Sequence, residues 1–123
     1  MNDIPKADRP NGLSVEQQVV EGVRVVAVRG EIDHDVKDVF REALLPQNEA
    51  VPPSRIVLDL SDVTFMDSSG INVLVAAHRA VAGDGWLRIA GAQPSVLRVL
   101  LVVGIDEVIS CHATVRQAMN PGS

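Results

Sequence analysis

The chain has no tyrosine, two phenylalanines and one tryptophan among its 123 residues. Recognition through stacked aromatic platforms therefore lacks its raw material. Any core must come from Val, Leu, Ile and Ala. Cysteine is nearly absent as well: the single Cys111 excludes an internal disulfide and any multi-cysteine metal site. It reads as a small hydrophobe near the end of a late strand. His34, His78 and His112 share no ligand spacing such as i, i+4, so no metal is expected. Positive charge is scarce, with 11 Lys+Arg against 16 Asp+Glu and a net charge of −5. No basic patch is visible, which argues against nucleic acid as a partner. Long apolar runs are missing too. "INVLVAA" and "VLLVVGI" fall far short of the roughly 20 residues that cross a bilayer. The polar start "MNDIPKADRPNG" holds no apolar signal core. The expectation is a cytoplasmic protein with no membrane partner.

What is present is aliphatic and patterned. Hydrophobic residues make up 46% of the chain, and its length suits one domain. We place that domain at 13–119, between a loose tail at 1–12 and a short tail at 120–123. "LSVEQQVV" alternates as a half-buried strand, Glu21-Gly22 signals a turn, and "VRVVAVRG" follows as an apolar β-branched strand. Asp33 is placed to cap a helix. In that helix Val36, Val39, Phe40, Ala43 and Leu44 recur at helical spacing, and Pro46 stops it. The loop "PQNEAVPPS" leads to "RIVLDL", a strand buried on both faces. A second helix carries Ile71, Leu74, Ala77 and Val81 on one side, and "GDG" breaks it. "WLRIAG" is a short strand. Pro94 and Ser95 start an apolar helix that ends at Gly104. "DEVIS" suggests a last strand, and Thr114 caps a last helical piece, "ATVRQAM".

Strand and helix thus alternate after an N-terminal β-hairpin. The fold class is α/β: a mixed, mainly parallel sheet of about five strands covered by about four helices. Such folds place sites where parallel strands give way to helices. "GEIDHD" and "FMDSSG" both sit at such ends.

Three readings fit "MDSSG". Asp and Ser are preferred N-caps, and an acid suits the helix dipole. Alternatively, a serine at a helix start is an exposed phosphate acceptor, where unpaired N–H groups favour an anion. The phosphoryl group would add roughly −1.5 to −2 charges that the helix tolerates and a docked partner does not. Third, Asp33, His34 and Ser68 form a conceivable Ser-His-Asp set. The serine is not in a G-x-S-x-G elbow, however, and Asp33 and His34 are awkward sequence neighbours. Neither "GDG" nor "VVGID" is followed by the lysine of a phosphate-binding loop.

"LDLSDVTFMDSSGINVLVAAHRAV" resembles the signature of anti-sigma factor antagonists, bacterial regulators of the STAS domain family. "VRGEIDHDV", "LRIAGAQPSVLRVLLVVGIDEVI" and "TVRQAM" resemble the elements on either side, so the likeness spans about residues 13 to 119. The resemblance implies a protein with no catalysis and no cofactor of its own. Its unphosphorylated form would bind an anti-sigma factor that is a serine/threonine kinase, freeing the sigma factor. The kinase would then phosphorylate Ser68, and a phosphatase would reset the switch. By position Asp67, Ser69 and Gly70 complete the motif, and Asp33 matches the acid of the neighbouring "GEID" loop. Gly70 is expected to keep the helix start uncrowded for the kinase, and Ser68 to serve as both cap and switch. Asn72, where the family often has glycine, and the long "PQNEAVPPS" loop depart from the pattern. A monomer is expected. The rival readings are a STAS-type scaffold in a stress-sensing or transporter-associated assembly, and a serine hydrolase.

Overall fold

The computed structural model describes residues 12–46, 54–81 and 83–120. Most of the expected tails, 1–11 and 121–123, and positions 47–53 of the "PQNEAVPPS" loop lie outside the described residues.

Strands β1 (Ser14–Val20) and β2 (Val23–Ile32) form the expected antiparallel hairpin. Its two turn residues, Glu21 and Gly22, have φ of 52° and 80°. Positive φ at both is the signature of a type I′ turn, whose twist matches that of the strands. After β2 a 3-10 turn at His34–Val36 leads into α1 (Lys37–Leu44). The predicted stripe faces the core: Val36, Phe40, Ala43 and Leu44 are buried, and Val39 packs against them half-buried.

β3 (Arg55–Met66) lies between β2 and β4 (Trp86–Ala90), parallel to both. It runs past "RIVLDL" through "SDVTFM". Two register shifts against β2 each insert one extra β3 residue. Such bulges let the strand continue while polar residues turn outward. Val63 and Met66 remain in the core, whereas Ser61, Asp62 and Thr64 are exposed.

The sheet order is β1-β2-β3-β4-β5. "DEVIS" is not the last strand. Asp106 and Glu107 lie in a 3-10 turn, Ile105–Glu107, that follows a left-handed Gly104. Glu107 and Ile109 donate N–H to the carbonyls of Gly104 and Ile105, so local bonds take up this backbone until the Ser110 carbonyl accepts the Ile89 N–H of β4. β5 is Cys111–His112, paired with Ile89 and Ala90. α1, α2 (Ser68–Val81) and α3 (Pro94–Val102) pack on one face of the sheet, with Phe40, Leu74 and Val96 in its main core. α4 (Val115–Met119) covers Val57 and Ala90 on the other face, and Thr114 caps it as expected.

Candidate functional site

β2 and β3 end level with each other. Ile32 pairs with Met66 in the parallel ladder, and Asp67 N–H donates to the Ile32 carbonyl at 3.1 Å. Parallel neighbours lie about 4.8 Å apart, so the chain leaves the two strands side by side as Asp33 and Asp67. Each acid then holds the backbone two residues further on. Asp33 Oδ1 accepts the Asp35 N–H at 3.0 Å, and Asp67 Oδ1 accepts the Ser69 N–H at 2.8 Å. The Asp67 carbonyl also receives the N–H groups of Gly70 and Ile71. Asp67 is therefore the N-cap of α2.

That assignment corrects two expectations. Ser68 is not the cap: it is the first helical residue, and it is exposed. Gly70 does not clear a path for a visitor. It is buried, and a Cβ there would stand 2.7 Å from Met66 Cγ and 2.9 Å from Ile32 Cγ2. Only glycine lets α2 sit this close to the ends of β2 and β3. The buried face of α2 accordingly includes Gly70 and Val73 beside Leu74, Ala77 and Val81, while Ile71 is half-buried. A hydrophobic pattern cannot register a glycine as part of a packed stripe.

The surface so formed carries a free-standing hydroxyl, Ser68, with half-buried Asp67 and Asp33 beside it and half-buried Ser69 behind. Phe65, paired with Glu31 in the ladder, is 47% exposed on the end of β3 that leads to Ser68. Sequence reasoning missed Phe65. The signal available was a phenylalanine among outward-facing polar residues, in a chain with only two. His34 is exposed in the 3-10 turn, and the carboxylate of Asp33 is bonded to backbone N–H rather than aligned on the imidazole. Asp33 thus acts as a backbone cap, a role different from the orienting acid of a Ser-His-Asp set.

Elsewhere, a groove of about 700 Å³ runs along α3 and β5, lined by Leu97, Leu101, Asp106, Cys111 and His112. Burial, and next the Asp106 carboxylate, push the Cys111 thiol above its ordinary value. Among the described residues no group of three or more His, Cys, Asp or Glu could hold a metal ion, and no helix is long and apolar enough to cross a membrane.

Residues 14–118 match the family model of the STAS domain. The chain belongs to the STAS domain family. It is similar to the anti-sigma-B factor antagonist of Bacillus subtilis (strain 168), 33% identical over 82% of this chain and 92% of that protein. Its fold is similar to the crystal structure of an anti-sigma factor antagonist from Mycobacterium paratuberculosis, with TM-score 0.79, 24% identity, and coverage of 90% of this chain and 94% of the other. It is also similar to the structure of the anti-sigma factor antagonist SpoIIAA in its unphosphorylated form, with TM-score 0.69, 22% identity, and coverage of 87% and 94%. In this STAS domain the two acids and Ser68 stand together at one end of the sheet.

Proposed function

We propose that this STAS domain is an anti-sigma factor antagonist. Its unphosphorylated form binds an anti-sigma factor that is also a serine/threonine kinase, and that kinase switches it off by phosphorylating Ser68. The observation that carries this reading is the exposed Ser68 at the start of α2, beside the strand-end acids Asp33 and Asp67. The names of the relatives support the antagonist role, and the existence of an unphosphorylated form of SpoIIAA supports the switch.

The kinase, with its Mg²⁺ and ATP, moves the γ-phosphoryl group to Ser68 Oγ; the hydroxyl proton leaves and ADP is released. The STAS domain contributes the acceptor and its placement. The N–H groups and dipole at the helix start tolerate the new dianion, so the fold is retained. The partner's surface does not tolerate it, because Asp33 and Asp67 already make the patch acidic and phosphate adds roughly −1.5 to −2 charges. Desolvating that charge beneath a partner costs affinity. A phosphatase that removes the phosphate restores binding.

The test is capture of partners from the native host on wild-type protein, followed by Mg²⁺ and ATP and then peptide mapping. Phosphate appearing on Ser68 supports the reading. A stable partner that transfers no phosphate would contradict it and favour a scaffold role for the same fold.

A further inference from the structure

Among the described residues β1 is the long open edge of the sheet. It stands first in the strand order, and its 7 residues pair with β2 without a bulge. The opposite edge, β5, is cut to 2 residues. An open edge invites another strand unless proline, lysine or a bulge blunts it. "SVEQQVV" has none of these.

The hairpin determines which backbone groups face outward. A two-residue turn makes Val20 and Val23 a hydrogen-bonded pair, and such pairs alternate along an antiparallel ladder. Gln18, Glu16 and Ser14 are therefore the residues bonded to β2, opposite Val25, Ala27 and Arg29. The N–H and C=O groups of Val15, Gln17 and Val19 point away from the sheet. Val15 packs against the main core on its side-chain face, while Val19, on the same face, is 74% exposed.

We infer that β1 pairs with β1 of a second copy of this chain, antiparallel, about a two-fold axis through Gln17. In that register Val15 faces the partner's Val19, Gln17 faces its own equivalent, and Glu16 faces the partner's Gln18. All outward donors and acceptors of the three residues are satisfied, by about six hydrogen bonds. A slip of two residues in one direction sets Glu16 against its own equivalent, a like-charge pair that opposes association. A slip the other way sets Gln17 against the partner's Val19 and takes the partner strand away from Val15. The central register is thus the one that matches chemistry as well as hydrogen bonds.

A single strand seam is smaller than the roughly 1,600 Å² of a standard interface, so the dimer is weak and concentration-dependent. The two strands run in opposite directions. The two Ser68 surfaces therefore point to opposite ends of a continuous sheet, and both stay open to partners. This inference stands independently of the switch at Ser68, and it replaces the expected monomer with a monomer–dimer equilibrium.

Sedimentation equilibrium of the full chain from about 5 µM to about 1 mM tests it. The apparent mass should rise from 13.2 kDa towards twice that value. Val19→Lys, on an exposed side chain, should weaken association by about tenfold or more without altering the circular dichroism. The register is read by oxidation in a Cys111→Ser background. Gln17→Cys brings two Cα atoms to about 5.5 Å, within disulfide reach, whereas Glu16→Cys leaves them roughly 8 Å apart, outside it. Covalent dimer from Gln17→Cys but not from Glu16→Cys is expected. A wild-type chain that stays monomeric to about 1 mM, a Val19→Lys variant that associates like wild type, or equal cross-linking at both positions would overturn the inference.

Discussion

Ser68 and Ser95 occupy matching places in the fold. Both are exposed, in the first turn of helices that come after the neighbouring parallel strands β3 and β4. Their surroundings differ. α2 begins on a side-chain cap from Asp67, and Asp67 N–H is tied to the end of β2, beside Asp33. α3 begins on Gln93 and Pro94 with no side-chain cap, and the Gln93 amide is spent on the Ser61 carbonyl at 2.8 Å. The third helical residues contrast as well: Gly70 fits against Ile32 and Met66 where no side chain would, while Val96 fills the core. A helix start alone tolerates phosphate in both places. What distinguishes Ser68 is its position beside two acids, Asp33 and Asp67, at a tightly packed helix start.

The comparison breaks most severely at the third helical residue. Gly70→Val should cost roughly 1–3 kcal/mol in urea or thermal unfolding, because its Cβ enters the space of Met66 and Ile32. At the serines, Ser68→Asp should weaken binding of the captured anti-sigma factor by about tenfold, or about 1.4 kcal/mol, and Ser95→Asp by less than about twofold. Both substitutions should leave unfolding within about 0.5 kcal/mol of wild type. Ser68→Ala should bind constitutively. Equal losses at both serines would show that the acids beside Ser68 are irrelevant.

Removing the cap with Asp67→Ala should cost about 1 kcal/mol of stability, measured by denaturant unfolding. The smallest effect belongs to the α3 side of the molecule. The Cys111 thiol is held above its ordinary pKa by burial and then by Asp106. Its thiolate is therefore less populated at pH 8 than in the unfolded chain, and alkylation of the folded protein should be slower. The stability linked to this group is intact below the unfolded thiol pKa and declines as pH rises through the folded one. Asp106→Asn should speed alkylation slightly.

The hairpin and α1 were legible because local chemistry and burial agree there. Glu21-Gly22 occupies a turn that needs positive φ, and the helical stripe from Val36 to Leu44 is the stripe that packs. The acid-and-serine motif was legible for the same reason, since capping is a local event. The reach of β3 was hidden, because its two bulges break the period that marks a strand. β5 was misplaced because "DEVI" has strand-like residues, yet Gly104 turns the chain and the 3-10 turn takes up its N–H groups. The packing role of Gly70 and the exposure of Phe65 depend on which residues face each other across β2 and β3. Neighbouring positions along the chain do not carry that information.

The most direct measurement is the affinity of the captured anti-sigma factor for two forms of this protein, unmodified and phosphorylated stoichiometrically on Ser68, by titration calorimetry in one buffer. The account predicts that the phosphorylated form folds normally and binds at least about tenfold more weakly. Equal affinity for the two forms would contradict it.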